Sequence, residues 1–285
     1  MQTVSCCMQH VNLLRVVDML HAAWKCPRCL EGEDVTQTTI IAGAGSGIGA
    51  ATAALLGQRG HRLMLLDTAA GLRDVAAGLR SRLEAAQVED VRVDVTSESA
   101  VKAAVAAALE RWGALTGLVN CAATMATGPV TETSLEDWNR VINVNATGTF
   151  LLCKYAVRAF LAGEGGSIVN LSSISGSVGL PGQPAYCASK GAVNQLSRQI
   201  AVEFGARGVR CNVVSPGSVE TPQLRGYLAA QADPAAAEKA LIEGHPVRRI
   251  ATAEEIATTI AFVLSPEAGF INGADVAVDG GYTAA

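Results

Sequence analysis

The stretch Ile40-Ile41-Ala42-Gly43-Ala44-Gly45-Ser46-Gly47-Ile48-Gly49 runs from an apolar β-branched segment through alternating glycines into the Ala- and Leu-rich segment Ile48–Arg59. A buried strand, a tight turn and a closely packed helix produce this pattern. Gly43 permits the turn, Gly47 lets the backbone approach a pyrophosphate, and Gly49 lets the helix lie against the strand. Gly45, Ser46 and Ile48 complete the loop. The helix N-terminus behind it offers unpaired N–H groups and the positive end of a dipole. The next strand, Arg62–Asp67, closes on a carboxylate 18 positions past Gly49. That is near the spacing of about 20 at which an acidic residue meets the ribose of a dinucleotide. Asp67 would accept from an adenosine 2′-OH and repel a 2′-phosphate, so the expected cofactor is NAD. Ser46 and Thr68 beside it are neutral, and Arg62 starts the same strand roughly 16 Å away. The alternative is that Asp67 merely ends a strand.

Outward from this loop, short β-branched runs alternate with longer Ala-rich stretches. Strands are expected at Thr38–Ala42, Arg62–Asp67, Val91–Val95, Gly117–Cys121, Ser167–Leu171, Val209–Val214 and Asp275–Val278. Helices are expected at Ile48–Arg59, Gly71–Ala86, Ser97–Trp112, Tyr186–Ala206 and Ala253–Leu264, with Leu135–Leu161 helical around a break. Nearly all-apolar strands are buried on both faces, and the intervening helices supply the cover. The expected fold is therefore α/β: one Rossmann-like, doubly wound domain with a parallel sheet of about seven strands and helices on both faces. It spans residues 36–285.

Composition narrows the partners. The chain has 285 residues, 22 Lys and Arg against 26 Asp and Glu, and a net charge of −4, which argues against a nucleic-acid partner. Mean hydropathy is +0.28, yet the long uncharged runs Trp112–Thr131 and Gly165–Ser189 are rich in Gly, Ser, Thr, Asn and Pro. Neither supplies the ~20 predominantly apolar residues of a bilayer span. No secretory leader is readable, so a cytoplasmic location and no membrane partner are expected. Of eight cysteines, Cys121, Cys153, Cys187 and Cys211 are scattered singly and read as reduced thiols. Residues 1–35 form an extension, partly helical or disordered, with an amphipathic pattern over Val11–Trp24. Its Cys7-x-x-His10 and Cys26-x-x-Cys29 pairs resemble zinc-ligand spacing, the alternative being an extension without metal.

Four further features, in order, resemble the short-chain dehydrogenase/reductase family: Asn120-Cys121-Ala122-Ala123, Val144-Asn145, Ser172-Ser173, and Tyr186-Cys187-Ala188-Ser189-Lys190. Ser215–Pro222 looks like the family's loop over the nicotinamide, and Asn272-Gly273…Val278-Asp279-Gly280-Gly281 its closing segment. The match covers about residues 36–283. It implies a catalytic set of Asn145, Ser173, Tyr186 and Lys190, acting on a secondary alcohol or its ketone. Tyr186 and Lys190 stand i, i+4 on one helix face. A lysine cation, with the charge of oxidised nicotinamide, would lower the tyrosine pKa from ~10 toward a useful range. Tyr186 would then exchange the hydroxyl proton while hydride moves, and Ser173 would hold the substrate oxygen. The resemblance further implies that Lys190 binds the nicotinamide ribose and Asn145 anchors a water leading to solvent. By the same resemblance Asp94 contacts adenine beside Val95, and Pro216, Gly217, Val219 and Thr221 contact the nicotinamide. Asn120 and Ala122 complete the cofactor set.

Two departures stand out. Ala42 replaces the usual Thr before the loop, and Ala123 replaces a Gly. Residues 223–246, with Leu224, Tyr227, Leu228, Leu241 and Ile242, are expected to form a mobile helical lid over a moderately apolar substrate, the alternative being that these residues simply pack on the body. His245 reads as a loop residue. Packing of the long helices around Leu151 and Leu196 into a homotetramer or homodimer is implied by the resemblance. The alternatives are a 3-oxoacyl-thioester (acyl-carrier-protein) reductase of the same family, or a non-catalytic NAD-binding sensor or scaffold.

Overall fold

The computed structural model describes residues 37–84 and 87–285. The candidate zinc ligands and the Val11–Trp24 helix lie outside the described residues.

Seven parallel strands form one sheet: β1 (Thr38–Ala42), β2 (Arg62–Asp67), β3 (Val88–Arg92), β4 (Gly117–Asn120), β5 (Gly166–Leu171), β6 (Val209–Pro216) and β7 (Asp275–Val278), in the order β3-β2-β1-β4-β5-β6-β7. The apolar strands bury both faces. In β1, Ile40 and Ala42 join one core while Ile41 joins the other. Helices α1 (Gly47–Gln58), α2 (Gly71–Arg80) and α9 (Ala253–Leu264) cover the Ile41 face. Helices α3 (Glu98–Trp112), α5 (Gly148–Ala162) and α6 (Pro184–Phe204) cover the other. The chain turns in opposite directions from β1 toward β2 and β4. Their loops splay apart there and open a crevice at the strands' C-terminal ends.

Several expected boundaries move. β3 is Val88–Arg92, paired with Leu63–Asp67, rather than Val91–Val95. Val93 still donates its N–H to the Asp67 carbonyl at 3.0 Å, but β2 ends there and the ladder runs out of partners. The valine alternation continues because Val93 and Val95 stay buried beyond the strand. Asp94 therefore sits in a turn, its carboxylate accepting from the Thr96 N–H and hydroxyl. α2 stops at Arg80, whose guanidinium binds the Val88 carbonyl and Asp90 on the incoming β3. α6 begins at Pro184, a residue that suits the first helical position because it needs no N–H partner.

The expected break within Leu135–Leu161 is a π-helical turn, Asn143–Thr147, between α4 (Leu135–Ile142) and α5. The extra residue of such a turn carries Asn145 into the interior, where it is buried. The segment expected as a lid forms two short helices, α7 (Pro222–Ala229) and α8 (Pro234–Gly244), capped by Thr221 and Asp233. Among the described residues no helix is long and apolar enough to cross a membrane.

Candidate active site

The crevice holds a cavity of about 650 Å³ reaching from Asp67 and Asp94 at one end to the lid at the other. At the first end the glycine loop fits a diphosphate. Ser46 is the N-cap of α1 but its side chain makes no capping bond, and the first turn carries no acidic residue. The helix thus presents open N–H groups to the cavity. Gly43 has φ of 75°, and a Cβ there would lie 2.6 Å from the Ala122 nitrogen. A Cβ on Gly49 would meet the Gly43 carbonyl at 2.0 Å, so this glycine serves helix–strand packing. Gly45 donates its N–H to Asp67 Oδ2 at 2.8 Å, and Ala69 donates to Oδ1 at 2.9 Å. Each carboxylate oxygen keeps lone-pair capacity for a ribose hydroxyl. The residues present therefore fit a nicotinamide dinucleotide.

Gly43, Ser46, Gly47, Ile48, Asp67, Asp94, Val95, Ala122, Ser173, Tyr186, Lys190, Pro216, Gly217, Val219 and Thr221 line the cavity; Gly45, Gly49, Asn120 and Asn145 do not. Asn120 is buried below it, donating to Thr149 Oγ1 at 2.8 Å and accepting from the Ala122 N–H at 3.1 Å. Asn145 gives its amide hydrogens to the Thr124 carbonyl and Ser189 Oγ, and Oδ1 accepts from the Thr124 N–H. Its side chain braces the segment after β4 against α6, with one oxygen lone pair left for a water. Asn120, expected among the cofactor contacts, does not line the cavity, because its buried amide is taken up by Thr149 and the Ala122 backbone.

The reactive groups converge mid-cavity. Tyr186 lines the cavity together with Ser173 and Gln223. Ser173 caps a short 3₁₀ turn, Ile174–Gly176, accepting from the Ser175 N–H at 3.2 Å. Lys190 is buried, its Nζ 5.5 Å from the Tyr186 ring centroid and donating to the Leu171 carbonyl at 2.7 Å. Burial pulls the Lys190 ammonium down to about 8. Burial likewise pushes the Tyr186 phenol up to about 12, against the lowering effect of the neighbouring Ser173 and Gln223 side chains. Desolvation outweighs what Ser173 and Gln223 return, so a lower pKa needs further positive charge at the site.

Several site residues escape sequence reasoning. Met125, Leu180, Gln183, Gln223 and Tyr282 line the lid end with the expected Leu224, Tyr227 and Leu241. Leu228 is buried beneath its helix, and neither it nor Ile242 lines the cavity. Cys121 also lines it, close enough to Lys190 for their charges to interact. His245, read as a loop residue, is buried at the end of α8 and bonded on both ring nitrogens. Only the motif-bearing residues carry a local signal; these others arrive from distant loops.

A glycine-loop dinucleotide crevice meeting a Ser–Tyr–Lys cluster defines a nicotinamide-dependent oxidoreductase fold. The comparisons with known proteins agree. A family model described as enoyl-(acyl carrier protein) reductase matches residues 43–283. The chain is 38% identical over 244 residues to 2-(S)-hydroxypropyl-CoM dehydrogenase 3 of Xanthobacter autotrophicus, covering 86% of this chain and 95% of that one. It is 41% identical over 249 residues to cis-4-hydroxycyclohexanecarboxylate dehydrogenase of Sinomonas cyclohexanicum, covering 87% and 97%. The crystal structure of levodione reductase superposes with a TM-score of 0.84 at 32% identity, over 87% of this chain and 98% of that one. The chain belongs to the short-chain dehydrogenase/reductase family.

Proposed function

We propose that the protein is an NAD-dependent dehydrogenase that interconverts a secondary alcohol and its ketone. The observation that carries this reading is Tyr186 and Ser173 lining one cavity, with buried Lys190 Nζ 5.5 Å from the Tyr186 ring centroid and Asp67 and the uncapped glycine loop at the far end. A bound nicotinamide supplies the hydride acceptor or donor. Ser173 and Tyr186 hold the substrate oxygen, and Tyr186 takes its proton in oxidation or returns it in reduction. Lys190 holds the ribose and steadies the phenolate, and Asn145 braces the segment that frames them. Val95 and Asp94 flank the adenine, and the Pro216–Thr221 segment covers the nicotinamide. Asp67 favours NAD over NADP. Its carboxylate, already oriented by two N–H groups, suits ribose hydroxyls and repels a 2′-phosphate.

In this reading residues 36–285 are the dehydrogenase domain and 223–246 its substrate lid. The reaction is cytoplasmic, and oxidation is its direction. The chain associates as a homodimer or homotetramer. Leu151 is spent in the chain's own core, so the apolar contacts come from exposed residues such as Phe150 of α5 and Val202 of α6. The test is Tyr186→Phe. Turnover of secondary alcohols should fall at least about 10³-fold with NADH binding retained; residual activity near wild type would sink the proposal. Absence of turnover in the wild-type protein, with NADH still bound, would favour the sensor. Turnover confined to 3-oxoacyl thioesters would favour the acyl-carrier reading.

A further inference from the structure

Asp275 on β7 gathers hydrogen bonds from three segments that frame the reacting centre. Its Oδ2 accepts from Asn194 Nδ2 of α6 at 2.9 Å and from the Ser177 hydroxyl at 3.3 Å. Its Oδ1 accepts from the Ser215 hydroxyl on β6. None of the four residues lines the cavity itself.

Two of these bonds converge on the turn that carries Ser173. Ser177 directly follows Ile174–Gly176, the 3₁₀ turn that Ser173 caps. Asn194, one helical turn beyond Lys190, also donates to the Gly176 carbonyl at 3.4 Å. A Cβ on Gly176 would lie 2.8 Å from Asn194 Nδ2 and 3.1 Å from the Lys190 carbonyl, so the turn rests directly on α6. Asn194 is buried and its Oδ1 has no partner among the described residues. Nδ2 alone, held by Asp275 and Gly176, therefore sets how the amide points. The third bond fixes the opposite wall. Ser215 is buried and immediately precedes Pro216 and Gly217, which line the cavity.

We propose that Asp275 is a positioning residue that holds the Ser173 turn and the Pro216–Gly217 segment at a fixed separation. This rests on the dehydrogenase reading above, in which Ser173 holds the substrate oxygen and the Pro216–Thr221 segment covers the nicotinamide. Hydride transfer needs carbinol carbon and nicotinamide at close range, and a misplacement of about 1 Å can cost about a hundredfold in rate. A carboxylate suits the task because it only accepts, and its two oxygens face donors from opposite walls. Asp275→Asn would turn one of those acceptors into a donor, set against either Ser215 or the Asn194 amide.

The experiment measures kcat and KM for cyclohexanol, trans-cyclohexane-1,2-diol and butan-2-ol with NAD⁺, and the NADH Kd by fluorescence titration, on the full chain. Asn194→Ala should lower alcohol kcat/KM about tenfold with the NADH Kd unchanged, and Ser215→Ala should raise the NADH Kd about threefold. Asp275→Ala should do both. Adding Asn194→Ala or Ser215→Ala to it should cost no more than about twofold further, because the shared acceptor is already gone. Asp275→Asn keeps the size of the side chain and carries the same kcat/KM and Kd comparison where Asp275→Ala does not fold. Variants that melt earlier yet keep wild-type kcat/KM and Kd, or effects that add in full, overturn the role of Asp275 and leave the dehydrogenase reading standing. No turnover of any of these alcohols by the wild-type protein overturns both.

Discussion

His245 Nε2 accepts the backbone N–H of Ser218 at 3.1 Å, while its Nδ1 donates to the Leu241 carbonyl at 2.6 Å. A carbonyl only accepts and a backbone N–H only donates, so these partners define a neutral ring with its proton on Nδ1. The imidazole joins the end of lid helix α8 to the loop carrying Pro216, Gly217 and Thr221. A Cβ on Gly217 would meet Nε2 at 2.4 Å, so ring and loop are in direct contact. His245 is a positioning residue. His245→Leu should weaken NADH binding about tenfold in a fluorescence titration, by freeing the Ser218 N–H and loosening the loop. His245→Gln, which can restore an acceptor, should recover part of that loss. Equal defects in both variants would point to packing alone.

The pH dependence follows from the phenol. Burial holds Tyr186 up to about 12. Oxidation needs the phenolate, so its rate should rise with pH from 7 to 10; reduction needs the phenol and should be favoured at the low end. Lys190, drawn down to about 8, loses its charge within the same range. Lys190→Ala should cut turnover and move the rising limb of the oxidation profile upward by about one unit or more, since an opposite charge within a few ångströms is worth about 1–3 pKa units. Initial rates in both directions across that range check it, and a limb that does not move refutes the role given to Lys190.

Asp67 stands level with Arg92 of β3 in the sheet register. Arg62 shares the strand of Asp67 in the sequence, whereas Arg92 comes level with it only in the folded sheet, because register is a property of the tertiary structure. Asp67→Ala should raise the NADP⁺ to NAD⁺ ratio of kcat/KM at least about a hundredfold, removing a repulsive carboxylate and leaving Arg92 as the cation beside the site. Arg92→Ala added to that variant should reverse part of the gain. An unchanged ratio in Asp67→Ala would contradict the NAD assignment.

Arg210 on β6 closes the C-terminal end of α9. Its guanidinium donates to the carbonyls of Val263, Leu264, Ser265 and Ile271 at 2.9–3.2 Å. These include carbonyls that a helix end leaves unpaired. Arg210→Met keeps much of the stem's packing but strands the acceptors, and should lower unfolding free energy by about 3 kcal/mol. Thermal or urea denaturation measures it; a change under about 0.5 kcal/mol would show that water replaces the guanidinium at no cost.

The amino-acid order alone determined the layered α/β architecture. All-apolar strands, Ala-rich helices and a glycine turn can bury their surfaces in few other ways, and these are local patterns readable in short windows. It also marked Ser173, Tyr186, Lys190 and Asp67, since each stands in a motif with its own spacing. Tertiary structure decided the rest. β3 ended where β2 ran out, the helix break became a π turn that buried Asn145, and Asn120 turned to brace a loop. His245 gained its partners, the Ser218 N–H and the Leu241 carbonyl, from segments brought together only by folding. The phenol's acidity depended on burial, which is the sum of every neighbour the fold assembles.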